Sequence, residues 1–413
     1  MATVVLLGTL DTKGAEYDYV RGLLVTLGCD VVMVDAGVRG QDRYSADIGA
    51  DEVARAGGAD RAELADRGDR GVALAAMSAG AVSVVTRLHA EGRLDGILAL
   101  GGSGAAALAA PAMRALPIGV PKLIVSTMTA GDIRPYVGES DIAMLSPVVD
   151  VAGINRISAQ VLANAAAAIA GMARARGSID VPAGRPLVAA TMFGVTTPSV
   201  TAARERLEAL GYEVLVFHAT GTGGRAMEGL VRAGFLVGVL DVTTTELADE
   251  LVGGVLSAGP QRLEAAGAAG IPQVVSLGAL DMVNFGPVGS VPERFAGRRL
   301  HVHNEAVTLM RTTSDECRAL GALIARKLND ARGPVAVFIP RRGFSMIDVQ
   351  GQPFHDPGAD AALIAALKAE AGPDIEIVEW DTDINDPLFA TAMADRLAEL
   401  MGAASDQRAR QPA

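Results

Sequence analysis

A chain of 413 residues is long for one hydrophobic core and comfortable for two, at roughly 100 to 200 residues per domain. Half of it is apolar, aromatics make up only 4%, and the formal net charge is −12 with no long basic run, which argues against nucleic acid as a partner and against an aromatic-rich sandwich. Two cysteines, Cys29 and Cys317, lie far apart without metal-ligand spacing; this sets aside a disulfide framework and a zinc knuckle and leaves buried free thiols.

The opening MATVVLLGTL lacks a basic leader and breaks at Gly8 after a run too short for a signal peptide or a membrane span. A cytoplasmic protein with no membrane partner is expected. Strand-length apolar runs then recur: TVVLLG, DVVMVD, DGILALGG, KLIVST and IAMLSP in the first half, and LVAATMFG, YEVLVFH, LVGVLD, QVVSLG, LHVH, VAVFIP and IEIVEW in the second. Continuous rather than alternating apolar strands, separated by helix-length segments rich in Ala and Leu, indicate parallel strands covered on both faces. The fold class is therefore α/β, with two Rossmann-like domains, each a mostly parallel sheet with helices on both faces. ARARGSIDVPAGRP, residues 173–186, interrupts the periodicity with Gly and Pro and reads as the linker between domains at 1–180 and 185–403. Residues 404–413 carry no core pattern and read as a disordered tail, and the polar interval from Asp35 to Gly58 reads as a long functional or mobile loop.

In open parallel sheets ligands sit beyond the carboxyl ends of the strands, where helix N-termini and loop amides converge. In the first half, GTLDTKG (residues 8–14) is not a P-loop, because Lys13 precedes Gly14 and no Ser or Thr follows the lysine. It can still join a composite site. Gly101, Gly102, Ser103 and Gly104 have no bulky side chain and run into an Ala-rich helix, so their N–H groups can approach a di- or triphosphate. Thr127, Thr129 and Gly131 add hydroxyls and open backbone, and Lys13 adds a point charge. Asp11 and Asp132 either hold Mg²⁺ or cap helices, and the glycines alone would equally serve helix packing.

These loops, with STM and DVAGIN in the first half and TMFGVTTP, FHATGTGG, LDVTTTE, GALDMVNFG, VTLMRTT and INDP in the second, resemble the Tm-1-like ATP-binding family over essentially the whole chain. The resemblance implies two Rossmann-like domains, ATP in the first, and self-association as a homodimer or higher homo-oligomer. On the matching motifs, nucleotide contacts fall on Lys13, Gly101, Gly102, Ser103, Gly104, Thr127 and Met128, with Asp11, Thr12 and Thr129 in the same loops. One departure is Ala105-Ala106 in place of an expected Gly-Thr, which removes one hydroxyl.

The second half offers a separate candidate site for a small anionic metabolite. His218 ends a strand ahead of Gly221, Gly223 and Gly224, a possible anion nest. Asp241 ends another ahead of Thr244 and Glu246, which equally fit a helix cap. In RRLHVHNE, period two places His301 and His303 on one strand face, as acid and base or, with Asp281 or Glu305, as metal ligands; the alternative is a structural histidine beside an exposed one. Asp281, Asn284, Arg311, Arg342 and Ser345 complete the rim, the arginines as anchors for a carboxylate or phosphate. Two functions follow. The first is an ATP-binding metabolic enzyme, a lyase or hydrolase acting on a carboxylated or phosphorylated small molecule, with His303 or His301 as acid/base and Asp241 as orienter. The second is a non-catalytic, nucleotide-gated interaction protein. A dehydrogenase is a weaker third, resting on Asp35 as a ribose-binding acid.

Overall fold

The computed structural model describes residues 1–39, 44–176 and 184–410. They form two compact units, Met1–Pro182 and Ala183–Ala413; most of the segment read as the linker lies outside the described residues.

The first unit alternates strands and helices: β1 (Thr3–Gly8), α1 (Leu10–Thr26), β2 (Asp30–Asp35), α2 (Ala50–Ala56), α3 (Arg61–Arg67), α4 (Arg70–Ala90), β3 (Gly96–Gly101), α5 (Ser103–Arg114), β4 (Lys122–Ser126), α6 (Arg134–Val137), β5 (Ala143–Leu145) and α7 (Arg156–Ala175). The sheet is parallel in the order β2-β1-β3-β4-β5. Alternate residues of each strand enter different cores. Val5, Leu7, Ile97 and Ala99 pack against α4 and α5, while Val4, Leu6, Leu98 and Leu100 pack against α1 and α7. The interval expected to be one long loop is partly ordered, since Ile48 bridges Val34 and α2 buries Val53 and Ala54. By length and composition α4 could cross a membrane, but Met77, Ala81, Val84, Val85 and Leu88 on it belong to this core.

Between β1 and β3 the ladder runs only from Val4 opposite Gly96 to Leu6 opposite Leu98. Beyond it stands Tyr17 of α1, whose hydroxyl donates to Leu7 O at 2.6 Å and accepts from Leu100 N–H at 2.9 Å. Gly8 permits this, because a Cβ there would lie 2.0 Å from the phenol ring. The strands therefore splay at the topological switch point, with α1 leaving to one side and α5 to the other.

The second unit contains β6 (Leu187–Met192), α8 (Thr197–Ala209), β7 (Glu213–His218), α9 (Thr222–Arg232), β8 (Leu236–Thr243), α10 (Glu246–Val252), α11 (Ala265–Ala269), β9 (Gln273–Gly278), β10 (Met282–Phe285), β11 (Leu300–Asn304), β12 (Val307–Arg311), α12 (Ser314–Asn329), β13 (Val335–Pro340), α13 (Pro357–Glu370), β14 (Ile375–Trp380) and α14 (Pro387–Arg410). Six parallel strands are ordered β14-β13-β9-β8-β6-β7, with α8 and α14 packed on one face and α9, α11, α12 and α13 on the other. A three-stranded antiparallel sheet, β10-β12-β11, is an addition to the expected parallel pattern. MVNF is short and carries a polar residue, and VTLMR ends in Arg, so neither has the run of apolar residues that marks the other strands. Of the segment read as a tail, helix α14 includes the residues to Arg410, and the last three lie outside the described residues.

Removing the Tyr17 hydroxyl leaves Leu100 N–H buried without an acceptor. Tyr17→Phe is expected to lower stability by about 1–3 kcal/mol, read by urea denaturation.

Candidate functional site

A cleft of about 560 Å³ opens at the carboxyl ends of β1 and β3. Its polar lining includes Asp11, Thr12 and Lys13 from the start of α1, and Gly101, Gly102, Ser103 and Gly104 from the β3–α5 turn. These are seven of the ten residues expected to meet a nucleotide, brought together from two loops about 90 positions apart in sequence. Gly101 turns the chain at φ 143°, a conformation side-chain-bearing residues rarely adopt. From there α5 begins with Gly102 at its N-cap and no side-chain cap, so the N–H groups of Ser103, Gly104 and Ala105 have no acceptor among the described residues. Three free amides at the positive end of a twelve-residue helix form a donor set suited to an anion.

Lys13 interrupts α1 with non-helical torsions (φ −129°, ψ 18°), and its ammonium donates to Val151 O in the loop before α7. Asp11 lines the cleft and also holds a neighbouring loop. Its Oδ2 accepts from Val38 N–H at 3.1 Å and Arg39 N–H at 2.9 Å and so fixes the loop after β2. Asp132 pairs with Arg134 at the surface. Asp35 accepts from Leu10 N–H at 3.0 Å and Gly37 N–H at 2.8 Å, so it is tied to the start of α1 and does not line the cleft. That removes the acid on which the dehydrogenase reading rested. Thr127, Met128 and Thr129 form a single 3₁₀ turn after β4 and are not part of the lining. Thr127 Oγ1 lies 3.9 Å from where a Cβ on Gly102 would be, Met128 packs on the core, and Thr129 Oγ1 donates to Ser126 O.

The cleft also has parts that sequence reading missed. Leu64, Ala73, Leu74, Met77 and Leu108 make an apolar wall, and Arg39, Asp69, Arg70 and Asp150 join the polar rim. One signal was present in the sequence: a basic residue, Arg70, directly follows a capping Asp69 at a helix start, where the helix dipole disfavours a cation.

In the second unit the expected site residues are largely consumed by one another. Arg262, fully buried and not anticipated from sequence, grips Asp241 at 2.5 and 2.7 Å and Glu246 at 2.6 Å. Thr191 Oγ1 also donates to Asp241, at 2.7 Å. The glycine nest is real, and its occupant is Glu246: Gly221 N–H and Gly224 N–H donate to Oε1 at 2.7 and 3.1 Å. A Cβ on Gly224 would meet that carboxylate at 2.2 Å, and one on Gly223 would meet His218 O at 1.8 Å, so both glycines serve close packing. Thr244 donates its hydroxyl to Ser276 O. His218 is exposed at the end of β7.

Arg311 is a second buried hub, donating to Phe354 O at 2.7 Å and pairing with Asp348 at 3.2 Å and Asp360 at 2.5 Å. Ser345 donates to the buried Asp281 at 2.8 Å. Burial raises the pKa of Asp281, and burial together with the charges of Asp281 and Asp360 raises that of Asp348. Burial also pushes the Cys317 thiol up to about 11, far from a thiolate nucleophile. Arg342 is exposed and paired with Asp381 at 2.5 and 2.8 Å. Asn284 donates to Asp249 at 2.7 Å.

The histidine pair departs from expectation. The β11–β12 register shifts between Val302 and Asn304, which makes His303 the extra residue of a bulge and breaks the alternation. His301 is half-buried edge-on to Phe354 at 6.2 Å, and His303 is exposed. Among the described residues, no group of three or more His, Cys, Asp or Glu side chains is placed to hold a metal.

Residues 2–178 match the N-terminal domain of the uncharacterised protein family UPF0261, and residues 185–401 match its C-terminal domain. A UPF0261 protein of Clostridium tetani is 50% identical over 399 residues, covering 96% of this chain and 98% of its own. The ToMV resistance protein Tm-1(GCR237) of Solanum lycopersicum is 47% identical over 337 residues, 80% of this chain but 45% of its own. Among solved structures, the glycosyltransferase SsfS6 of Streptomyces sp. aligns over 98% of this chain and 96% of its own at 13% identity and a TM-score of 0.19, too low to support any argument.

Two outcomes test this internal saturation. Glu246→Ala leaves Arg262 and the nest short of a carboxylate; it is expected to cost about 3–5 kcal/mol, partly restored by added acetate in thermal unfolding. Burial pushes Asp249 up to about 7, despite N–H donors from Asn284 and Leu256. A carboxyl raised in the folded state lends stability that is complete below about pH 4 and lost as pH climbs through about 7. The wild type is therefore expected to lose stability relative to Asp249→Asn between pH 5 and 8, by on the order of 1–4 kcal/mol, measured by denaturant titration at each pH.

Proposed function

The chain belongs to the UPF0261, Tm-1-like family over both of its units, and from that premise we propose that its first unit binds a nucleoside triphosphate, ATP, with Mg²⁺ carried on the phosphates. The observation that carries this reading is the cleft at the β1/β3 split, where three free helix N-terminal amides and Lys13 line the same cavity as an apolar wall. Its volume of about 560 Å³ falls within the range of small-molecule sites. Ser103, Gly104 and Ala105 would hold phosphate oxygens through their N–H groups and Lys13 through its ammonium. Leu64, Leu74, Met77 and Leu108 would cover the base. A polyphosphate-bound Mg²⁺ needs no protein cage of carboxylates.

Of the two uses for such binding, the interaction module has the stronger support. Of the groups assigned to metabolite chemistry, Asp241, Glu246 and Arg311 are buried and satisfied by neighbours, Asp281 is buried with one oxygen on Ser345 and the other unpartnered, and the two histidines have no carboxylate to orient them among the described residues. On this reading the protein is cytoplasmic and self-associating, and nucleotide sets its assembly. The metabolic enzyme, a lyase or hydrolase on a small anion, remains the competing reading, and His303→Ala separates the two: turnover lost at intact ATP affinity supports the enzyme.

Mg·ATP is expected to raise the unfolding temperature of the wild type in a saturable way, and Lys13→Ala to weaken binding by about tenfold by calorimetry. No stabilisation by ATP, with or without Mg²⁺, would overturn the nucleotide assignment.

A further inference from the structure

We propose that Arg70 is the residue by which the first-unit cleft discriminates among nucleotides by the length of their phosphate tail. This rests on the nucleotide reading of that cleft and goes beyond it, because Arg70 belongs to none of the loops that suggested the site.

Three independent observations converge on this side chain. The first is its lack of a partner. Arg70 has no carboxylate partner among the described residues, and of the arginines in that state (Arg67, Arg156 and Arg332 among them) those three do not line the cleft while Arg70 does. Its neighbour Asp69 is turned to its own helix and accepts from Gly71 N–H at 2.9 Å and Val72 N–H at 3.1 Å. The second is its position. Arg70 is the first residue of α4, so a cation stands at the positive end of a helix, where the one neighbouring carboxylate, Asp69, is taken up by the helix amides and not by the guanidinium. An anion from outside the helix would offset the repulsion.

The third is where the guanidinium lies. Its Nη2 is 3.1 Å from where a Cβ on Gly104 would sit, which places it over the first turn of α5 beside the unbonded N–H groups of Ser103, Gly104 and Ala105. The starts of two helices thus contribute to one cleft, α5 with its amides and α4 with a fork of donors matched to phosphate. On α4, Arg70, Ala73, Leu74 and Met77 all line the cleft at helical spacing i, i+3, i+4 and i+7, and therefore share one face. From Met77 to Arg70 is about 10 Å along the axis, so a ligand lying on that face with its base at Met77 reaches Arg70 only through its phosphates.

The test is the affinity of wild type, Arg70→Ala and Arg70→Lys for AMP, ADP and ATP, by calorimetry on the full chain at fixed Mg²⁺ and salt. The expected result is that Arg70→Ala loses about tenfold or more in ATP affinity while AMP affinity stays within about twofold, with Arg70→Lys intermediate because it keeps the charge but not the fork. Arg70 is exposed, so unchanged melting of the unliganded variants accompanies that result. If Arg70→Ala binds ATP as the wild type does, or loses ATP and AMP affinity equally, the assignment to Arg70 is overturned while the nucleotide site stands. If the wild type binds none of the three, both fall.

Discussion

The hydroxyl of Tyr17 stands where two adjacent strands cease to bond each other. By taking Leu100 N–H and giving its proton to Leu7 O, it satisfies one donor and one acceptor that a continued ladder would have paired. Opening a sheet in its buried middle normally strands such groups at a cost of about 1–3 kcal/mol each. One phenol, inserted over a glycine, removes that penalty. Burial drives its pKa far upward, so it stays a neutral donor at any pH the cell meets. The cleft beyond the split inherits its geometry from this contact, because α5 starts where β3 has already turned away from β1.

The two units share a strand order in which the second strand lies outside the first and the chain then proceeds the other way. Both therefore have a switch point, and they treat it differently. In the first unit, amides and a lysine line an open cavity. In the second, the equivalent split between β6 and β8 is crossed by Thr191, which bonds both Asp241 and Thr243 N–H, and is closed over by Arg262. Burying that many charges is costly unless every one is paired, and here the short distances to Asp241 and Glu246 meet the condition.

Much of this was legible in the sequence, for reasons that also mark the limits. Strands such as TVVLLG and VAVFIP announce themselves because a parallel sheet buries both faces, and GGSG ahead of an Ala-rich run announces a helix start free of side chains. Residue type does not announce pairing. Asp241, Glu246 and Arg311 look like site residues because buried networks and active sites draw on the same chemistry, and only the fold tells which groups are already spent. Arg262 sits in GPQRLEAAG with no motif around it, and its role exists only once β8 and α10 converge on it. The histidines misled for a narrower reason: an alternating pattern assumes an unbroken pleat, and one bulged residue at 303 cancels it. Arg70 was hidden because the site it lines is assembled from a helix that begins some thirty residues before GGSG.

Glu246 has a further consequence for how the protein responds to its surroundings. A carboxylate tethered on the same chain as its receptor is present at an effective concentration that no dissolved acid approaches. The glycine nest is therefore held by its own carboxylate whatever the supply of small organic acids.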